Sequence, residues 1–171
     1  MSLRIQGYLL AAGIFVLDQL VKWAMLGPLA LREVGQIVLL PIFNFSYVEN
    51  RGVSLGLLTA DGELGRWLLV ALTGAIAVGV AYWIGKEKAR FDQAALGLVL
   101  GGALGNILDR VRFGYVVDFA DLHFGTFRPF LVFNVGDAAI SIGVVILLLR
   151  AFLTRKEQGQ GDKPGETIEH A

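Results

Sequence analysis

Asp118 and Asp137 are the residues from which chemistry would start. Asp118 interrupts the apolar stretch Val116, Val117, Phe119, and Asp137 stands at the head of an apolar run that continues to Phe152. Two carboxylates held close in an apolar setting cannot both ionise cheaply, so one keeps its proton while the other is an anion. Such a pair can take a proton from water and lend one to a carbonyl oxygen, which hydrolyses a peptide bond without a metal or a covalent intermediate. Asn134 and Asp137 also have a structural meaning. Asparagine is a good helix N-cap, and a side chain three residues later can reach back to the cap backbone. Asp121 reads as a solvated loop carboxylate, and Asp109 beside Arg110 as a local ion pair.

Composition narrows the classes. The 171 residues are 55% hydrophobic with a mean hydropathy of +0.62, which marks a membrane protein. Fifteen basic and fifteen acidic residues balance, so nothing global points to nucleic acid. The absence of cysteine removes disulfides, thiolate metal sites and a cysteine nucleophile. Only His123 and His170 are present, with no G-x-S-x-G elbow and no ligand-spaced cluster, so a serine triad, a metal and a cofactor are not expected. A serine-lysine peptidase would have to use Ser54 with Lys22.

Four apolar runs, at about 7–26, 67–84, 94–108 and 135–152, are long enough to read as membrane-spanning helices. The first begins like a secretory signal but runs on through Asp18, Gln19 and Lys22 without a small-residue cleavage site, so it reads as retained. Asp18 and Lys22 share a helix face, either as an ion pair with the lysine snorkelling outward or as support for a site. Between the first two runs, in 27–65, the alternation Phe43-Asn44-Phe45-Ser46-Tyr47-Val48 fits a strand, with Ile37 to Leu40 as a hairpin partner. A polar loop with Asn50 and Gly52 follows. The third run carries Gly97, Gly101 and Gly105 at i+4 steps, a flat face for close helix packing, and then Asn106 and Arg110. The aromatic stretch 111–133, a loop that carries Asp118, suits the lipid interface, and 154–171 reads as a polar, disordered tail.

The basic loop Lys86, Lys88, Arg90 favours the cytoplasmic side and hence both termini inside. In that topology Asp18, Lys22, Asn106, Arg110, Asp118 and Asp137 all converge on the outer leaflet. A small transporter or proton-coupled channel would instead spread ionisable groups through the membrane depth. A structural subunit docking by its glycine face would leave the two aspartates without purpose.

These residues resemble the lipoprotein signal peptidase family, signal peptidase II, the aspartic membrane proteases of bacteria. The resemblance runs to about Phe152. It rests on Asp18 with Lys22, Asn50-x-Gly52, Gly101-Gly102-Ala103-Leu104-Gly105-Asn106 with Asp109-Arg110, Val117-Asp118-Phe119, and Phe133-Asn134-Val135-x-Asp137. Gly136 stands where alanine is frequent in the family, and Leu55 where phenylalanine is. The resemblance implies a mainly α membrane protein with four transmembrane helices, a small extracytoplasmic β-element and an interfacial loop helix, forming one domain over 1–153. It also implies that Asp118 and Asp137 are the catalytic dyad, and that Asp18, Lys22, Asn50, Gly52, Asn106, Arg110 and Asn134 bind substrate or support the site. The implied substrates are diacylglyceryl-modified prolipoproteins, cut before the lipidated cysteine by a monomer in the lipid of the bacterial inner membrane.

Overall fold

The structure is a computed structural model that describes residues 3–52 and 63–160. Ser54 and Leu55 lie outside the described residues. Four long helices dominate: α1 (Leu3–Leu26), α3 (Glu63–Lys86), α4 (Arg90–Phe113) and α5 (Val135–Gln160). Each is long and apolar enough to cross a membrane. At about 1.5 Å per residue, the 24 residues of α1 reach about 36 Å, more than a hydrocarbon core needs. Helices suit that setting because every backbone polar group between the ends is bonded within the segment. The short helix α2 (Leu31–Val34) and the strands β1 (Gln36–Leu40), β2 (Phe43–Asn50) and β3 (Val116–Leu122) lie between and beside the spans. The expected four-helix architecture with a small β-element is therefore what is found.

The ends of these elements follow from local residues. Gly27 and Pro28 close α1, with the Gly27 N–H on the Trp23 carbonyl. Helix α4 stops at Gly114, whose φ of 87° lies in the left-handed region and whose N–H bonds the Arg110 carbonyl. That end is five residues beyond the expected boundary at 108, so Asp109 and Arg110 are helical. Helix α5 likewise continues to Gln160, past the expected start of the tail, through the good helix formers Arg155, Lys156 and Glu157. Residues 161–171 lie outside the described residues.

The sheet has the order β1-β2-β3 and is antiparallel throughout. Strand β2 pairs Val48 with Asp118 and Asn50 with Val116, so Asp118 sits on a strand rather than on the expected loop. The reason is visible in the partner: the alternating β2 segment offers a ladder that takes up the backbone polar groups of Val116–Leu122. All of β3 from Val116 to Asp121 is buried. The chain then returns along β3, where the Phe133 carbonyl accepts from the N–H groups of Phe119 and Ala120. This brings Asn134 and the start of α5 next to Asp118.

Helix α4 is the centre of the bundle, packed by α1, α3 and α5. Its glycines split between two faces. A side chain at Gly97, Gly101 or Gly105 would run into α1, at the Gly7 carbonyl, the Ala11 carbonyl and the Asp18 carboxylate respectively. One at Gly102 would run into the Gly136 carbonyl of α5. Without a hydrophobic driving force between helices in lipid, close backbone packing of this kind holds spans together. By contrast, a side chain at Gly74 or Gly79 of α3 would meet nothing. Gly102→Ala is expected to cost about 1–3 kcal/mol through overpacking, seen as a lower thermal unfolding temperature in detergent. Gly74→Ala should leave that temperature unchanged or raise it slightly.

Candidate functional site

The polar residues singled out in the sequence meet where α1, α4, α5 and β3 come together. Asn134 is the N-cap of α5. Its Oδ1 accepts the Asp137 N–H at 2.9 Å, and Asp137 Oδ2 accepts the Asn134 N–H at 3.2 Å, a reciprocal cap of the expected kind. With its oxygen committed, the Asn134 side chain turns its amide nitrogen to Asp118 Oδ1, at 2.6 Å, and to Asn106 Oδ1, at 3.2 Å. Asn106, about two turns before the end of α4, donates its own amide to Asp137 Oδ1 at 2.8 Å. On β2, Asn50 accepts the Gly52 N–H at 3.0 Å and donates to Asp118 Oδ2 at 3.0 Å. Gly52 has a φ of 103°, a conformation that favours glycine, and this places its N–H under the Asn50 oxygen.

Each of the four carboxylate oxygens of Asp118 and Asp137 thus receives one amide N–H. The senses of these amides are not free. Asn50 and Asn134 each face a backbone N–H, and Asn106 faces an ammonium, groups that can only donate, so all three must present nitrogen to the carboxylates. Burial first, and then the negative charge of Asp137, push the Asp118 carboxyl up to about 7; the bonds from Asn50 and Asn134 and the charge of Lys22 work against that rise. Asp118 therefore keeps its proton to higher pH than a surface aspartate would.

Behind this centre lies a second cluster. Lys22 is turned inward, not snorkelling, with its Nζ 2.8 Å from Asp18 Oδ2 and 2.7 Å from Asp109 Oδ2, all three side chains being buried. Asp18 Oδ1 accepts the Gly136 N–H at 2.9 Å, so α1 caps the first turn of α5 across the bundle. Gln19 donates to Asp18, Asp109 and the Gly105 carbonyl, and Asp109 Oδ2 accepts the Val117 N–H at the start of β3. Asp109 is therefore no local partner of Arg110. The helix sends the two side chains in different directions: among the described residues the guanidinium of Arg110 hydrogen-bonds only the Asn106 carbonyl, at 3.5 Å, while its charge faces Asp137 first, then Asp118 and Asp109. Gln19 and Asp109 were missed as site residues, and spacing could have found them. Gln19 neighbours Asp18, and Asp109 lies three residues after Asn106 on the same helix.

Asp121 also differs from expectation. It is buried, not solvated, because β3 carries it into the sheet, where Arg128 bonds it through Nε at 3.0 Å and Nη2 at 3.3 Å and Ser46 at 3.1 Å. Hydrogen bonding by Arg128 holds its carboxyl below the usual range. It has no bond to either dyad aspartate. A groove of about 280 Å³ borders Asp137, walled by Phe130, Leu131, Phe133, Ala138, Ser141 and Ile142. Its walls are largely apolar and one side is open.

Fold and site together define a class: a multi-pass membrane protein whose polar centre is a pair of amide-held aspartates. The model of the signal peptidase II family matches residues 10–153. A lipoprotein signal peptidase of Sphingopyxis alaskensis is 54% identical over 156 residues, covering 91% of this chain and 90% of that protein. One of Rhizorhabdus wittichii is 58% identical over 150 residues, covering 88% and 87%. A bacterial membrane enzyme solved by the in meso method at 2.3 Å resolution superposes with a TM-score of 0.73 at 25% identity, covering 96% of this chain and 94% of that one. The chain belongs to the signal peptidase II family.

Because Asp121 ionises more readily folded than unfolded, its contribution to stability is present above about pH 4 and is lost as the pH falls through its folded value. Asp121→Asn is therefore expected to lower the unfolding temperature at pH 7, with the gap to the parent closing as the pH falls below about 4. Thermal scans of both proteins across that range check it.

Proposed function

We propose that this protein removes signal peptides from diacylglyceryl-modified prolipoproteins, cutting before the lipidated cysteine by direct attack of water at Asp118 and Asp137. The observation that carries the reading is the set of four amide N–H groups, one on each carboxylate oxygen. They leave the remaining lone pairs of both groups for a water, a substrate carbonyl and the one proton shared between them. Asp137 is the base, since it stands in the first turn of α5, where the helix dipole favours an anion. Asp118, with its raised affinity for a proton, is the acid.

In the first step Asp137 takes a proton from water, the hydroxyl oxygen bonds to the scissile carbonyl carbon, and Asp118 gives its proton to the carbonyl oxygen. In the second, the tetrahedral diol collapses. Asp137 returns its proton to the leaving nitrogen, one hydroxyl proton goes back to Asp118, and the carbon–nitrogen bond breaks. The dyad ends as it began, with one proton. Gly52 places Asn50; Asn50, Asn106 and Asn134 supply the donors; Asp18, Lys22 and Arg110 support them. No metal or cofactor takes part in this scheme.

The topology fits the substrate. With both termini in the cytoplasm, the dyad lies near the outer leaflet of the inner membrane, where a lipid-anchored peptide stays within reach. The exposed Phe124, Phe127, Phe130 and Leu131 would rest against membrane lipid there. The chain works as a monomer, and a lipidating transferase must act earlier on the same substrate.

Cleavage of a diacylglyceryl-modified prolipoprotein, followed by gel shift, tests the proposal. Asp118→Asn and Asp137→Asn should each remain folded and lose activity by about two to four orders of magnitude; near-parent activity in either would sink the dyad. The pH dependence has a defined sign. Activity needs the proton on Asp118, so it should fall as the pH rises through about 7. Asn50 bonds the anion and so favours proton loss. Asn50→Ala should thus move the alkaline side of the pH–activity profile to higher pH, while lowering the maximum. Because the two carboxyls titrate as a pair, the midpoint belongs to both.

A further inference from the structure

Lys22 touches neither dyad aspartate in any hydrogen bond, yet it is one side chain away from Asp137. Two of its N–H groups are taken by Asp18 and Asp109, and the third donates to Asn106 Oδ1 at 3.1 Å. An ammonium has no acceptor, so Asn106 must turn its oxygen to Lys22, and the other end of the amide then meets Asp137 Oδ1 at 2.8 Å. Asn134 donates to the same oxygen at 3.2 Å, but as a neutral group that also holds Asp118 at 2.6 Å. The charged donor is the one that polarises the amide, because a hydrogen bond accepted at the carbonyl strengthens the N–H bond given at the other end.

We infer that Lys22 is a positioning residue for Asp137, acting through Asn106: it orients and polarises that amide so that Asp137 is held as the carboxylate that receives the proton of water. The inference rests on the dyad reading above. The charged groups that face Asp137 are Asp118 from β3 and Arg110 from α4, with Lys22 and Asp18 of α1 and Asp109 of α4 behind Asn106. Loss of the Lys22 charge alone would alter all of these, so the test holds the charge constant.

The full-length protein in detergent is assayed for kcat, KM and pH profile on a synthetic diacylglyceryl-modified prolipoprotein. Lys22→Met with Asp109→Asn removes one positive and one negative charge together. It is expected to lower kcat by about tenfold to a hundredfold, the range for a lost bond to a charged group, and to move the acid side of the profile to higher pH, with KM little changed. Lys22→Arg keeps a charged donor and should retain the parent profile. Asp109→Asn alone keeps the ammonium and should not move the acid side upward. A double variant that folds and shows the parent's kcat and profile overturns the inference. Asn106→Leu cuts the relay while leaving the Lys22 cluster intact, and a parent-like profile there overturns the inference even where the Lys22 variants fail to fold. Asp137→Asn separates the two levels. If it is inactive while Asn106→Leu is parent-like, only the relay fails; if it cleaves at the parent rate, the dyad reading itself fails.

Discussion

A carboxylate taken out of water must be solvated by the protein, and two of them side by side must be solvated by donors that cannot take the proton away. The polar centre where α1, α4, α5 and β3 meet follows from that constraint. Asn134 meets it most directly. One backbone N–H and one side-chain amide of the same residue bond Asp137 and Asp118, so the two carboxylates are joined by a single rigid unit. The cap that starts α5 and the bridge that unites the pair are the same residue, and neither can shift without the other.

That residue can serve both purposes only if three helices approach closely. Asn106 must reach from α4 to α5, and Lys22 from α1 to Asn106, across contacts where a methyl group would already clash. The glycines at 101, 102, 105 and 136 are therefore part of the site, although none bears a functional group. Gly105 makes room for the Asp18 carboxylate itself, and Gly136 donates its N–H to the other oxygen of that group. Gly136 also explains its own departure from the family's frequent alanine, since a Cβ there would lie 2.9 Å from the Gly102 carbonyl. In this chain the helices α4 and α5 meet glycine to glycine.

Much of this was legible in the sequence. The four spans, the β2 alternation, the Asn134 cap and the glycine face of α4 all come from periodicity and residue type, which report on the chain's own neighbours. What escaped was decided between segments. Asp118 reads as a loop residue because the ladder that makes β3 a strand is supplied by β2, some seventy residues earlier. Asp121 reads as solvated for the same reason, since its partners Ser46 and Arg128 lie on other segments. Asp109 was paired with the adjacent Arg110, whereas a helix turns successive side chains about 100° apart and sends it to Lys22. In each case adjacency along the chain stood in for adjacency in space.

The choice of donor is itself informative. Among the described residues, three asparagines, not lysines, arginines or hydroxyls, hydrogen-bond the pair. A cation bonded directly to either oxygen would favour the doubly ionised state and drive off the proton that acid catalysis needs. A hydroxyl could rotate and accept instead, leaving a carboxylate oxygen without its donor. A carboxamide does neither: it is neutral, it does not titrate in the accessible range, and once its oxygen is pinned it can only donate. The cations are present, but each stands one group back, Lys22 on the oxygen of Asn106 and Arg110 on its carbonyl. At that remove they temper the repulsion between the two carboxylates without bonding either of them.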